Sequence, residues 1–389
     1  MHFETLFERY KEPAFFGRYL PPEIMEPVLN KHNTNNQVRV IGKSVEGNPI
    51  YSYEIGKGKT KILIWSQMHG NESTTTKALF DFLNLLQNND WLAVALLEKF
   101  TFLCLPMMNP DGAKVYKREN ANGIDLNRDA QNLSQPESRI LRKAFDDFMP
   151  DYCYNLHDQR TIFGVGETGK PATVSFLAPA YNEEREINET RARAMGVVAA
   201  MNGVLQQFIP GQIGRFDDTF NFNCVGDTFQ FFNAPTILIE AGHFQGDYNR
   251  EQTRKFIFVA LLAGLQYIYE NVIVSNEIEF YLNIPQNKSV FYDFVYKNVK
   301  INYDSIKLIT NFAIQFKEEL IRNEVCFKAF FSEIGNLDQY FGHFEYDARG
   351  AEYSDDYKNV PIIDLQADFY LTPYIKVVNG RMDDSHSPI

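Results

Sequence analysis

A regular alternation of buried strands and helices between Lys61 and Val272 constrains the fold of this chain more than any other feature. Five short apolar runs have the length and composition of buried strands, at 62–66, 100–105, 151–156, 174–178 and 236–239. Helical patterns lie between or after them, at 74–86, 137–149, 183–208 and 249–272. The pattern predicts an α/β fold with a doubly wound, mixed but largely parallel sheet that carries helices on both faces.

The pattern of predicted secondary structure changes after about Ser275. Strand-like segments follow without long helices between them, at 278–282, 299–303, 308–316, 325–331 and 362–371. With 389 residues, the chain also exceeds the usual size of a single domain. We therefore predict two domains, residues 1–275 with the α/β fold and residues 276–389 as a small β-rich C-terminal domain.

The charge balance argues against two classes of partner. The formal net charge is −12 and the pI is near 5.2, whereas nucleic acids and anionic membranes attract clustered positive charge. We expect no nucleic acid partner, although a local basic pocket for an anionic substrate group is compatible with this balance. Four cysteines are spread singly, so we expect neither a disulfide framework nor a cysteine-based metal cluster.

The N-terminal segment, residues 1–9, lacks the basic start and apolar core of a secretory signal. No apolar run approaches the roughly 20 residues that a membrane span requires. With Met1 as the native start, we expect a cytoplasmic protein that does not contact membranes. The oligomeric state is not indicated by the sequence.

His69 and Glu72 lie in the short segment between the first apolar strand and the helix that follows it. An imidazole and a carboxylate at the end of a buried strand form half of a possible zinc site. The alternative is a surface histidine beside a glutamate that begins a helix, since Ser73 and Thr74 favour helix starts. Taken alone, the pair leaves both interpretations open.

His157 supplies a third candidate ligand, because it ends the strand-like run 151–156. Ligands collect at the ends of strands in open α/β sheets. Two imidazoles and one carboxylate from His69, Glu72 and His157 would leave one position of a zinc ion open for water. For His157 alone, a hydrogen-bonded loop histidine is the ordinary interpretation.

Two arginines and a glutamate complete the set of candidates. Arg118 and Arg128 frame a loop that contains Asn127, and a guanidinium can hold a carboxylate by forked hydrogen bonds. Glu240 directly follows four apolar strand residues, where desolvation raises a carboxyl pKa as a general base requires. The alternatives are solvated surface charge for the arginines and, for Glu240, pairing with one of them.

In combination, these residues resemble the zinc carboxypeptidase family, the carboxypeptidase A-like metallopeptidases, and in particular its bacterial branch that cleaves murein peptides. The matched features appear in the family's order over about Lys61 to Val272. They are His-Gly-Asn-Glu at 69–72, Asn-Pro-Asp-Gly at 109–112, Arg118, Gly-Ile-Asp-Leu-Asn-Arg at 123–128, His157 and Glu240. Each is weak by itself, whereas the ordered set is specific.

The resemblance implies a role for each matched residue. The ligands of one Zn²⁺ would be His69, Glu72 and His157, with Asp125 orienting the first histidine. Glu240 would be the general base towards the zinc-bound water, whose pKa zinc brings to about 7. Arg118 would stabilise the oxyanion. Asn127 and Arg128 would grip the terminal carboxylate of a short peptide, which selects an exopeptidase.

Three positions depart from the pattern of the digestive members. Asn71 stands where those enzymes carry an arginine that contacts the substrate carboxylate, and Asp129 replaces a frequent asparagine. The segment 214–222, upstream of Glu240, contains phenylalanines but not the tyrosine that covers the substrate in the family. The resemblance therefore does not imply the specificity of a digestive carboxypeptidase.

The leading hypothesis is a zinc metallocarboxypeptidase that hydrolyses the amide bond next to a free carboxylate in a short peptide, for example one derived from the cell wall. One alternative is a zinc-dependent N-acyl amino acid deacylase of the succinylglutamate desuccinylase and aspartoacylase kind, which shares two of the motifs and also carries a C-terminal β domain. Another is a non-catalytic binding protein on the same scaffold.

Overall fold

The computed structural model describes residues 2–34, 36–270, 277–304, 306–372 and 375–383. Its helices are α1 (Phe3–Tyr10), α2 (Pro22–Lys31), α3 (Thr74–Leu86), α4 (Trp91–Lys99), α5 (Pro110–Val115), α6 (Pro136–Phe148), α7 (Glu189–Leu205), α8 (Val225–Phe231), α9 (Glu251–Glu270) and α10 (Glu277–Leu282). A 3₁₀ turn spans Leu126–Arg128. Among the described residues, no helix is both long and apolar enough to cross a membrane.

The strands fall into two groups along the chain. Those up to residue 241 are β1 (Val38–Lys43), β2 (Pro49–Gly56), β3 (Thr60–Ser66), β4 (Phe100–Leu105), β5 (Tyr152–Asp158), β6 (Phe163–Val165), β7 (Val174–Leu177), β8 (Ile213–Arg215) and β9 (Thr236–Ala241). The later ones are β10 (Asn287–Ser289), β11 (Phe291–Tyr303), β12 (Ile306–Ile321), β13 (Glu324–Gly335), β14 (Phe341–Asp347), β15 (Tyr353–Ser354), β16 (Phe369–Leu371), β17 (Ile375–Val378) and β18 (Arg381–Met382).

The chain divides into two compact units, Met1–Arg160 with Ala172–Asn287, and Thr161–Pro171 with Lys288–Ile389. The first unit contains an eight-stranded sheet in the order β1-β2-β4-β3-β5-β9-β7-β8. Strands β4, β3, β5 and β9 are parallel neighbours at its centre. The sheet is mixed, because β2 joins β4 and β7 joins β9 in antiparallel pairs.

Helices cover both faces of this sheet. Successive residues of a strand point to opposite faces, so an apolar strand contributes to a core on each side. On one face, Ile62 and Ile64 of β3 belong to the large core cluster that also contains residues of α3, α7 and α9. On the other face, Leu63 and Trp65 of the same strand share a smaller cluster with residues of α6 and α8. The predicted doubly wound α/β fold is confirmed, together with the β-rich C-terminal part.

The second unit contains two four-stranded sheets, β13-β12-β11-β14 and β15-β16-β17-β18. Aromatic side chains form much of its core. The ring of Phe312 lies 5.4 Å from that of Tyr296 and 5.3 Å from that of Phe369, measured between ring centroids. This unit is therefore held by an apolar cluster of its own.

Two predicted strands differ from the structure: of residues 362–371 only Phe369–Leu371 form a strand, and the other lies in a helix. Residues 278–282, expected to be a strand, lie in helix α10, which is part of the first unit. A short apolar run does not by itself distinguish a helix from a strand, and here Tyr281 is the fully buried side chain while Phe280 is 54% exposed. The domain boundary predicted between residues 275 and 276 lies outside the described residues, and the two-domain division stays a prediction.

Candidate metal centre and active site

The turn that carries His69 is held in place by its own neighbours. Strand β3 ends at Ser66, and Gln67 adopts a left-handed backbone with φ of 47°. The Gln67 side-chain amide donates to the carbonyl oxygens of Leu20 and Gly70, each at 2.9 Å. Glycine is required at position 70, because a Cβ there would lie 2.1 Å from the backbone of Gly112.

The three candidate metal ligands meet at the carboxyl ends of β3 and β5. His69, Glu72 and His157 are 2%, 7% and 2% exposed, and one ligand atom from each lies within 4.8 Å of the others. Glu72 Oε1 is 2.8 Å from His69 Nδ1, and Glu72 Oε2 is 2.8 Å from His157 Nδ1. The structure therefore brings together His69 and His157, which are 88 positions apart in the sequence.

The donor set fits a single zinc ion. His69 Nδ1 and His157 Nδ1 face each other at 3.1 Å and also face the same carboxylate. Nitrogen lone pairs and carboxylate oxygens that crowd together in a buried space are best satisfied by a cation, and two imidazoles with one carboxylate are a common zinc set. These three side chains can hold one zinc ion and leave a coordination position open.

Asp125 lies beside the ring of His69, on the side away from Glu72. Its Oδ1 atom is 3.0 Å from His69 Nε2 and also accepts a hydrogen bond from the Asn127 amide at 2.8 Å. Burial opposes ionisation of Asp125, but His69 and Arg118 hold its pKa below the usual value. With Nε2 of His69 donating to this carboxylate, Nδ1 is oriented towards Glu72 and free to bind metal.

Arg118 reaches the same cluster from the loop after α5. Its Nε and Nη2 atoms donate to Asp125 Oδ2 at 3.1 and 3.0 Å, and its Nη1 donates to Glu72 Oε1 at 3.2 Å. The side chain is still 41% exposed, so it remains accessible from solvent. Asn109, the N-cap of α5, donates to the Arg118 carbonyl oxygen at 3.1 Å and so fixes the backbone that carries this arginine.

Arg128 is exposed and is held at the edge of the site by two contacts. Its Nη1 atom donates to the Asn127 carbonyl oxygen at 2.8 Å and lies 3.1 Å from Cys224 Sγ. The side-chain oxygen of Asn127 accepts from the Val225 amide at 3.0 Å. The 3₁₀ turn that contains both residues is therefore fastened to the start of α8.

The departure at Asp129 has a structural explanation. Its carboxylate is 2% exposed and accepts hydrogen bonds from the Ser134 amide, the Ser134 hydroxyl and the Gln135 amide, at 3.0, 2.8 and 2.9 Å. An asparagine offers one acceptor oxygen in place of two. Asp129 thus closes the loop that follows Arg128.

Glu240 lies on β9 as the direct cross-strand partner of His157 on β5. Directly paired residues project from the same face of a sheet, so the carboxylate is on the side of the metal ligands. Burial raises the Glu240 pKa well above its usual value, and the negative charges of Glu72 and Asp158 add to the effect. Its Oε2 atom is buried and has no hydrogen-bond partner among the described residues.

The segment 214–222, which lacks the family's substrate-covering tyrosine, contains three phenylalanines, two of which stack on each other. Phe220 and Phe222 stack with ring centroids 5.8 Å apart, and Phe222 also contacts Phe231 at 4.8 Å. Phe222 is two residues before Cys224, which contacts Arg128. Aromatic rings therefore lie close in the chain to the cysteine that contacts the candidate carboxylate-binding arginine.

Three neighbours of the site are missing from the sequence-based set. Cys224 contacts Arg128, while Asp158 and Arg250 form a buried pair behind His157 with Arg250 Nη1 3.6 Å from Asp158 Oδ2. The position of Asp158, directly after His157, is the one signal for it in the sequence. Cys224 and Arg250 lie far along the chain from the residues they contact and carry no such signal.

The fold and the ligand group define an α/β protein that carries, at the carboxyl edge of its sheet, three residues able to hold one metal ion. The sequence profile described as zinc carboxypeptidase matches residues 23–156. The predicted resemblance to the zinc carboxypeptidase family is therefore confirmed, and zinc is the metal that this likeness indicates.

Individual relatives are similar over parts of the chain. Carboxypeptidase 2 of Trichophyton rubrum is 34% identical over 100 residues, which is 25% of this chain and 19% of that protein. Carboxypeptidase E of Caenorhabditis elegans is 32% identical over 188 residues, covering 41% of this chain and 40% of that one. The chain thus spans about a fifth to two fifths of the length of these curated relatives.

The fold is shared with solved metallo-carboxypeptidases. The crystal structure of a metallo-carboxypeptidase from Burkholderia cenocepacia has a TM-score of 0.51 and 18% sequence identity to this chain. The match covers 65% of this chain and 70% of the Burkholderia chain. At this identity the likeness extends to the fold alone.

Proposed function

We propose that this protein is a zinc-dependent metallocarboxypeptidase that hydrolyses the amide bond next to the free carboxylate of a short peptide. The observation that carries the proposal is the convergence of the three candidate ligands within 4.8 Å, next to Glu240 on the neighbouring strand, whose Oε2 atom is buried. Bound zinc would supply an acidified water molecule and a positive charge that stabilises negative charge on the substrate carbonyl.

Glu240 is the proposed general base. Its buried Oε2 atom has no partner among the described residues, so it is available to take a proton from water and return it to the leaving amine. The pKa of this carboxyl is raised by burial, and the positive charge of a bound metal would lower it again. That combination matches a group that must both accept and release a proton.

The two arginines have separate proposed roles. Arg118 lies against Glu72 and Asp125, where its guanidinium can turn from these carboxylates towards a developing oxyanion. Arg128 is exposed at the rim, and its fork of donors matches a terminal carboxylate. Asn127, whose backbone is fixed to Asp125 and whose side chain is fixed to α8, completes the carboxylate site.

The carboxylate site indicates the substrate class, a short peptide with a free terminal carboxylate. The identity of that peptide is a narrower hypothesis. A short peptide derived from the cell wall is the candidate, because the motifs of this chain resemble those of the branch that cleaves murein peptides. The aromatic segment around Phe220 and Phe222, in place of a covering tyrosine, sets this chain apart from digestive enzymes.

A substrate screen with zinc-loaded protein tests the proposal. Peptides with free and amidated C-termini, γ-linked muropeptides and N-acyl amino acids are incubated with the enzyme with and without chelator, and products are identified by mass spectrometry. We expect release of the last residue from free-carboxylate peptides only, and loss of this activity in chelator. Turnover of N-acyl amino acids alone would identify the deacylase, and ligand binding without turnover would identify a binding protein.

A further inference from the structure

Arg250 lies behind the candidate active site and joins the ends of two strands. The residue is 1% exposed. Its Nη1 atom donates to the Ala241 carbonyl oxygen at 2.6 Å, and its Nη2 atom donates to the Gln159 carbonyl oxygen. Ala241 directly follows Glu240, and Gln159 is two residues after His157. One guanidinium therefore bridges the strand ends that carry the general base and a metal ligand.

Asp158 extends this bridge to the third structural element of the site. Its Oδ2 atom is 3.6 Å from Arg250 Nη1 and accepts from the Thr74 amide at 3.0 Å, while Oδ1 accepts from the Thr75 amide at 3.2 Å. These amides begin helix α3, two and three residues after Glu72. The Asp158 amide itself donates to Glu72 Oε2 at 3.1 Å.

We infer that Arg250 and Asp158 are positioning residues that fix the distances between His157, Glu72 and Glu240. The inference rests on the proposed function and deepens it, because it assigns the rigidity of the site to a buried ion pair outside the reacting groups. Metal ligands depend on such outer contacts to hold their orientation. Loss of Arg250 would leave the Asp158 carboxylate buried beside fewer donors and release both strand ends.

A second buried arginine separates this role from general stabilisation. Arg254 is 0% exposed and belongs to α9, which begins directly after Arg250. It donates to the Asp81 carboxylate and to the carbonyl oxygens of Glu12 and Phe15. The chemistry of the two arginines is thus the same, a buried carboxylate with two backbone carbonyls. None of the contacts named for Arg254 involves a candidate ligand or Glu240.

The test compares Arg250→Met and Arg250→Lys with Arg254→Met and Arg254→Lys. Zinc affinity is measured by competition with a chromophoric chelator, and the visible absorption of the Co²⁺-loaded protein reports ligand geometry. We expect the Arg250 variants to bind zinc about 10- to 100-fold more weakly and to change the Co²⁺ spectrum. The lysine variant keeps the positive charge, so it should fold. It cannot bridge two carbonyl oxygens, so it should still lose part of the zinc affinity.

The Arg254 variants should unfold at lower denaturant concentration yet keep zinc affinity within about twofold and an unchanged Co²⁺ spectrum, because metal affinity depends on the local contacts of the ligands. If zinc is supplied at saturation, Arg250→Lys should lower kcat through Glu240 while KM, set by Arg128, stays close to that of the wild type.

Two results would overturn the inference and leave the proposed function intact: wild-type zinc affinity in both Arg250 variants, or equal weakening in the Arg250 and Arg254 pairs. Failure of the wild-type protein to bind zinc at all would instead overturn the proposed function. If Arg250→Met does not fold, Arg250→Lys and Asp158→Asn carry the test. For Asp158→Asn we expect weaker zinc binding, and unchanged affinity in both of these variants contradicts the inference.

Discussion

His157 and Glu240 are direct partners across the parallel strands β5 and β9, and both side chains project towards the same face of the central sheet. His157 lies at the end of its strand as a candidate metal ligand, and Glu240 is a half-buried carboxylate whose buried Oε2 atom has no partner among the residues described. The candidate metal ligand and the candidate proton acceptor are thus separated by one strand spacing, which the backbone hydrogen bonds between the strands set. Exchange of His157 should therefore weaken zinc binding, whereas exchange of Glu240 should remove proton transfer and leave zinc binding intact.

Glu240→Gln keeps the shape of the side chain but cannot accept a proton. We expect full zinc content and a fall in kcat of about 10²- to 10⁴-fold, which is the usual contribution of a general base. Steady-state kinetics on a free-carboxylate peptide and metal analysis of the same preparation check both parts. Turnover at the wild-type rate would remove Glu240 from the mechanism, and loss of zinc would show that it serves the metal instead.

Arg128→Ala should weaken binding of substrates that have a free terminal carboxylate. Charge-assisted hydrogen bonds contribute about 1.5–3 kcal/mol, so KM should rise roughly 10- to 100-fold on such peptides with a smaller change in kcat. Arg139→Ala is the matched control, because Arg139 is also exposed and also donates to backbone carbonyl oxygens, those of Leu133 and Ser134. An equal loss on amidated peptides would contradict the assignment.

The parts of the site that could be predicted are those that follow from local sequence patterns. The strands that end near His69, His157 and Glu240 are continuous apolar runs, so the positions of these residues at strand ends could be inferred from the pattern. Parallel strands then bring their carboxyl ends to one edge, which explains why distant residues meet. The same reasoning predicted the mixed sheet and the helices on both faces.

The remaining parts depend on contacts that have no local pattern. Arg250 directly precedes α9 and, in the sequence, has the appearance of a solvated charge, yet it is 1% exposed because it bridges two strand ends. Cys224 gains its contact with Arg128 only when α8 packs beside the loop of Asn127. Residues 278–282 were predicted incorrectly because a short apolar run fits a strand as well as a helix, and its local pattern does not distinguish the two.

Zinc should raise the stability of the folded protein by mass action. A ligand present at about 100 times its dissociation constant adds about 2.7 kcal/mol to the free energy of unfolding. Denaturant unfolding of the first unit should therefore shift on addition of zinc and return to its starting midpoint in chelator. His69→Ala should abolish the shift, whereas the exposed His2 can be replaced without effect. An unchanged shift in His69→Ala would place the zinc elsewhere.

His343 should make the second unit sensitive to acid. Burial lowers the pKa of this imidazole from 6.5 to about 4, its ring stacks on Phe291 at 4.6 Å, and its Nε2 atom lies 2.8 Å from the Thr161 carbonyl oxygen. Between pH 6.5 and 4 the unfolded chain binds a proton that the folded unit does not bind, so stability falls as the pH falls.

The size of the His343 pKa shift determines how strongly the unfolding free energy should depend on pH. Each pKa unit corresponds to 1.36 kcal/mol, so His343 should contribute up to about 3 kcal/mol of the acid sensitivity of this unit. His343→Asn cannot take up the proton, so the loss of unfolding free energy between pH 7 and pH 4.5 should be smaller in this variant than in the wild type, even if its stability at pH 7 is lower. Fluorescence-monitored unfolding at a series of pH values measures this difference. Parallel pH profiles for the two proteins would show that the imidazole keeps its ordinary pKa in the folded unit.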